Sequence, residues 1–66
     1  MKPNNAYSTW RYIVTVKLPT GIYKRFVGKT IDSVVSHPKF VACNGEYVGN
    51  ELKLGWYDNK KKFHIE

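Results

Sequence analysis

The candidates in this sequence for a nucleophile and its base are Cys43, Ser33, Ser36, His37 and His64. Covalent catalysis needs a base within hydrogen-bond reach of the nucleophile and a third group to orient that base. No spacing here forces such a trio together, and Cys43, beside Asn44-Gly45, reads as a small apolar residue. A metal site needs at least three convergent ligands. His37, Cys43 and His64 are scattered, without C-x-x-C or H-x-x-x-H spacing, so no metal and no other cofactor is expected. The five glycines sit where turns and bulges need them rather than in a phosphate-binding loop. Asp32, Glu46, Glu51, Asp58 and Glu66 fall on separate elements and make no carboxylate pair. The expectation is a protein that is not an enzyme and has no small-molecule substrate.

What remains is charge. Eleven Lys and Arg against five Asp and Glu leave a formal charge of +6. Such an excess favours a polyanionic or acidic partner, although a net charge of about 2–8 is ordinary for a small soluble domain. Two cationic sets are candidates. The first is Arg11, Lys17, Arg25 and Lys29 with Tyr23; the second is the tip "DNKKK", with Lys60, Lys61 and Lys62 close to Tyr57 and His64. Cations meet phosphates and release their counterions, and flat rings between them stack on bases. The same residue types on outward strand positions also protect sheets from aggregation, so composition alone does not separate gripping from solubility.

The elements that must position these cations begin at Trp10. Trp10, Tyr12, Val14, Val16 and Leu18 alternate with Arg11, Ile13, Thr15 and Lys17, the pattern of a strand. Pro19-Thr20-Gly21 then reads as a three-residue hairpin loop. That loop sets Leu18 opposite Ile22, Lys17 opposite Tyr23, Thr15 opposite Arg25 and Val14 opposite Phe26. It collects the apolar residues, with Trp10 and Ile22, on a core face. Arg11, Lys17, Tyr23, Arg25 and Lys29 fall on the other, interrupted by Ile13, Thr15 and Val27. Lys24 is the exception on the apolar side and must lie near an edge or extend outward. Thr30 caps a short helix over about residues 30–37, whose stripe Ile31, Val34 and Val35 packs on the sheet before Pro38 stops it.

In the second half, Asn44-Gly45 predicts a tight type I′ hairpin between Phe40–Cys43 and Glu46–Val48, and Gly49-Asn50 a further break. Along the last segment Leu52, Leu54 and Trp56 point in, while Lys53, Gly55 and Tyr57 point out. A two- or four-residue loop at Asp58–Lys61 sets Trp56 opposite Phe63 and Leu54 opposite Ile65. The expected fold class is therefore α+β, mainly antiparallel β: a small curled sheet of three hairpins with one short helix packed on it. Residues 1–6 form a flexible lead-in and 7–66 a single small domain. With one cysteine, disulfides cannot staple it; two Trp, five Tyr and three Phe supply the core instead. Tyr7, Tyr47 and Tyr57 suit either the rim of that core or a protein-binding patch.

The order strand, Pro-x-Gly turn, basic strand, "GKT" and short helix, over residues 10 to 37, resembles the small three-stranded arm-binding domains at the front of mobile-element integrases. The second half, with its extra hairpins, departs from that pattern, and no site residue is carried over. "MKPNNAYSTW" lacks the apolar stretch of a secretory signal, and no apolar run approaches the roughly 20 residues of a membrane span; with the lone thiol this predicts a cytoplasmic protein without a membrane partner. Two functions follow from the cations. One is nucleic-acid binding through the outer face of the first hairpin. The other is a small inhibitor or adaptor, of the bacteriophage kind, that docks on an acidic patch of a larger host protein.

Overall fold

The structure is a computed structural model and describes residues 2–66. Met1, at the head of the expected lead-in, lies outside the described residues. Strand β1 (Thr9–Lys17) alternates as its sequence requires and pairs antiparallel with β2 (Tyr23–Gly28). The loop between them is the expected one. Gly21 N donates to Leu18 O at 2.8 Å, Leu18 N donates to Ile22 O at 2.8 Å, and Gly21 takes φ +91. Proline supplies the first turn position and glycine the left-handed one. Val14 therefore faces Phe26, Thr15 faces Arg25, and Lys17 faces Tyr23.

Thr30 caps helix α1 (Ile31–Val35) by accepting from Ser33 N at 3.1 Å, while Thr30 N donates to Ser33 Oγ in return. The chain then departs from expectation. Phe40–Cys43 is not a strand, and Asn44-Gly45 closes no hairpin; Pro38–Ala42 is a second helix, α2. His37 caps it, Nδ1 accepting from Lys39 N at 3.1 Å, and Pro38 occupies the first helical position, where its missing N–H costs nothing. Asn44, at φ 51, is the left-handed residue just past the helix end. An asparagine that tolerates positive φ suits a helix terminus as well as a type I′ turn. Pro38 decides between them.

Strand β3 (Glu46–Tyr57) runs unbroken through Gly49-Asn50. It pairs along β1, from Thr9 with Gly55 to Lys17 with Glu46, and the expected break is a bulge: the register slips between Thr15 and Val16, leaving Val48 as the extra residue. Strand β4 (Phe63–Ile65) closes a second hairpin on Gly55–Tyr57. The result is a four-stranded antiparallel sheet in the order β2-β1-β3-β4, curled into a half-barrel with two short helices. Two hairpins and one long-range pairing replace the three hairpins expected.

Both helices cover one face. Val34 packs against Gly28, Phe40 meets Phe26 edge to face at 5.2 Å, and Val14 and Val16 beneath them are fully buried. Lys24, on the edge strand, carries its ammonium over the Phe26 ring at 5.1 Å. The helices reach only part of this face. Trp10, placed in the core by alternation, is 57% exposed, and Ile22 is 63% exposed. Lys2, in the segment expected to be flexible, donates to Ser8 Oγ at 2.8 Å and pairs with Glu66 at 3.4 Å. Among the described residues no helix is long and apolar enough to cross a membrane.

Candidate nucleic-acid interface

The face without helices carries the first cationic set. Cross-strand partners share a face, so Arg11, Lys17, Tyr23 and Arg25 all stand on this side, with Ile13, Thr15 and Val27 between them. Lys29 lies one residue beyond β2, exposed, and the ladder does not fix its side. Arg11 is partly held down: Nη1 donates to Thr9 Oγ1 and to Trp10 O, each at 2.8 Å, and its guanidinium stands 5.8 Å from the centre of the Tyr57 ring. Two acids share the surface. Glu46 lies opposite Lys17, and Glu51 pairs with Lys53 at 3.7 Å. Arg11, Lys17, Arg25 and Lys62 form no ion pair among the described residues.

Ile13 was expected as an interruption of a solvated surface. It is only 6% exposed. The curl of the sheet explains why: β2 and β4 rise on either side of β1 and β3 and enclose a groove of about 300 Å³. It is lined by Ile13, Arg25, Val27, Lys62, Phe63 and Ile65. Phe63 and Ile65 reach this side because β4 pairs differently from expectation. Trp56 meets His64, Tyr57 meets Phe63 and Gly55 meets Ile65. The loop Asp58–Lys62 has three connecting residues, not two or four, and that odd count turns every side chain of β4 to the opposite face. Gly55 completes the arrangement. A Cβ there would sit 2.7 Å from Phe63 Cε2, so the missing side chain is what allows the Phe63 ring to cross β3. Tyr57 braces that ring edge to face at 5.0 Å.

The same loop brings part of the second cationic set to the first. Lys62 lines the groove with Arg25, whereas Lys60 and Lys61 stand exposed at the tip. Asp58 holds the loop. Its Oδ1 accepts from Lys60 N at 2.8 Å and Lys62 N at 2.9 Å, and Oδ2 accepts from His64 Nε2 at 2.8 Å. The His64 bond, with those from Lys62 and Lys60, holds the Asp58 carboxyl down at about 2, against an ordinary 3.8. On the helix face His64 stacks on the buried Trp56 at 4.4 Å.

The candidates for chemistry stay apart by element. His37 and Cys43 sit at opposite ends of α2, with Cys43 Sγ donating to Phe40 O at 3.0 Å, and His64 is on β4. Sequence reasoning missed Ile13, Val27, Phe63 and Ile65 as one apolar floor; the glycine at Gly55, over which the Phe63 ring lies, was the available sign. What the surface offers is positive charge at both rims of an apolar trough, beside exposed aromatic rings. Comparison of the chain with protein-family models, with curated proteins and with solved structures finds no match.

Proposed function

We propose that this chain is a non-enzymatic nucleic-acid-binding module that works through the open face of its sheet. One observation carries the reading: Arg25 and Lys62, far apart in sequence, flank the same groove without an ion-pair partner among the described residues. Arg11, Lys17 and Tyr23 extend the same surface. A cation left without a carboxylate partner keeps its full attraction for phosphate, and binding then releases counterions. Electrophoretic shift and anisotropy titrations over a salt series test it. Affinity for any sequence falls steeply with salt, and Arg25→Ala with Lys62→Ala lowers the log–log slope by about two while weakening all sequences alike. Absence of a shift at low salt ends the proposal.

A second reading is favoured by a different feature. Because β4 covers only Gly55–Tyr57, the outer edge of β3 before it is unpaired by any strand, and Tyr47, Val48 and Leu52 along it are about half exposed. Such an edge can add a strand from an acidic protein partner, the mode of a small inhibitor or adaptor. Pull-down after nuclease treatment separates the two. One stoichiometric protein partner surviving nuclease favours this reading, and its loss favours nucleic acid.

A further inference from the structure

The groove is narrower in its chemistry than the surface around it. Phosphate gains nothing from an apolar floor, yet Val27 and Ile65 are left 36% and 46% exposed there, over the buried Ile13. The cations stand at opposite rims, Arg25 on β2 and Lys62 in the loop, one residue before β4. An occupant that satisfies both has a flat apolar body with negative charge on each side. A volume of about 300 Å³ is at the lower end for ligand pockets. We infer that the groove takes one unstacked base of a single-stranded nucleic acid, with its flanking phosphates on Arg25 and Lys62. The inference rests on the nucleic-acid reading and narrows it. A duplex keeps the faces of its bases stacked inside, so it presents phosphates to the rims and nothing to the floor. Only an unstacked strand offers a ring face to Phe63, Val27 and Ile65.

The test uses the whole chain and three labelled probes at one low salt concentration: a short oligothymidylate, the same strand with abasic sugars at its central positions, and a duplex of equal length. The intact strand binds tightest, and removing the central bases weakens it about ten-fold, the scale of one lost base–side-chain stack. In a protein carrying Val27→Thr and Ile65→Thr, which keep β-branched shapes on partly exposed strand positions, intact and abasic strands bind alike. Circular dichroism and melting confirm that this variant folds. Equal binding of the intact and abasic strands by the unaltered protein overturns the groove inference and leaves the wider reading standing. So does a duplex that binds as well as the single strand. Failure of all three probes overturns both.

Discussion

Two loops in this molecule share one backbone design and reach it by different means. In Leu18–Ile22 and in Asp58–Lys62 the first residue's N–H donates to the carbonyl of the fifth, and the N–H of the fourth donates to the carbonyl of the first. The fourth residue has positive φ in both: Gly21 at +91 and Lys61 at 62. In the first loop proline and glycine hold that shape in the backbone itself. In the second a lysine occupies a left-handed position that L residues avoid. What offsets the cost is a side chain: Asp58 collects the N–H groups of Lys60 and Lys62 and the His64 ring. One loop is written in conformational preference and the other in hydrogen bonds. The consequence reaches the groove, because the second loop brings Phe63, Ile65 and Lys62 to the side of Ile13 and Arg25.

Breaking the product of the second loop has the largest effect. Gly55→Ala puts a methyl group into the Phe63 ring and against the His64 carbonyl, which is backbone and cannot swing aside. Overpacking of that kind costs about 1–3 kcal/mol, and urea unfolding measures it. The variant also loses the groove, so discrimination between intact and abasic strands disappears with it. Unchanged stability in Gly55→Ala means that Phe63 does not cross β3 as described. Gly21→Ala comes next. Nothing lies within 4 Å of a Cβ at Gly21, so any loss there is conformational and is about 1–2 kcal/mol. The two glycines thus separate a steric requirement from a dihedral one.

The same contrast explains what the sequence disclosed. The first hairpin was legible to the residue pair because Pro19 and Gly21 fix loop length, and loop length fixes register. Thr30 was legible as a cap for the same local reason. The second hairpin was not. Asp58-Asn59-Lys60-Lys61 contains no glycine, and the bonds that set its length come from a side chain whose direction is known only after folding. Misjudging one loop residue reversed the parity of β4, which hid the apolar floor and the approach of Lys62 to Arg25. Helix α2 was misread because Asn44-Gly45 outweighed Pro38, although both motifs call for positive φ at Asn44. Trp10 was misplaced for another reason: alternation reports which face a residue is on, but not whether helices extend far enough to cover it.

Acid loosens the second loop and spares the first. The Asp58 carboxyl titrates at about 2 in the folded chain against 3.8 when free. Its folded value is the lower, so its stabilisation is complete above pH 3.8 and is lost as the pH falls toward 2. The amide proton resonances of Lys60 and Lys62 move with a midpoint near 2, while those of Gly21 and Ile22 do not follow. In Asp58→Asn the acid transition of these amides is absent. A midpoint near 4 for Lys60 and Lys62 shows that Asp58 does not hold the loop. Global melting is the weaker readout, because Glu66, hydrogen-bonded to Ser8 and Lys2, is also shifted down and loses its contribution in the same direction.

The smallest effect isolates the left-handed lysine itself. Lys61→Ala and Lys61→Gly both remove one exposed cation at the loop tip, so they change the electrostatics equally. Alanine keeps the penalty of a side chain at φ 62, whereas glycine relieves it at some cost in unfolded-state entropy. Lys61→Gly is therefore more stable than Lys61→Ala by up to about 1 kcal/mol. Lys61→Asn falls between them, since asparagine tolerates this region better than most residues. Denaturant midpoints of the three proteins give the order directly. If alanine and glycine are equal, then Lys61 does not sit in the left-handed region, the loop is not the twin of Leu18–Ile22, and the pairing of Tyr57 with Phe63 that builds the groove loses its support.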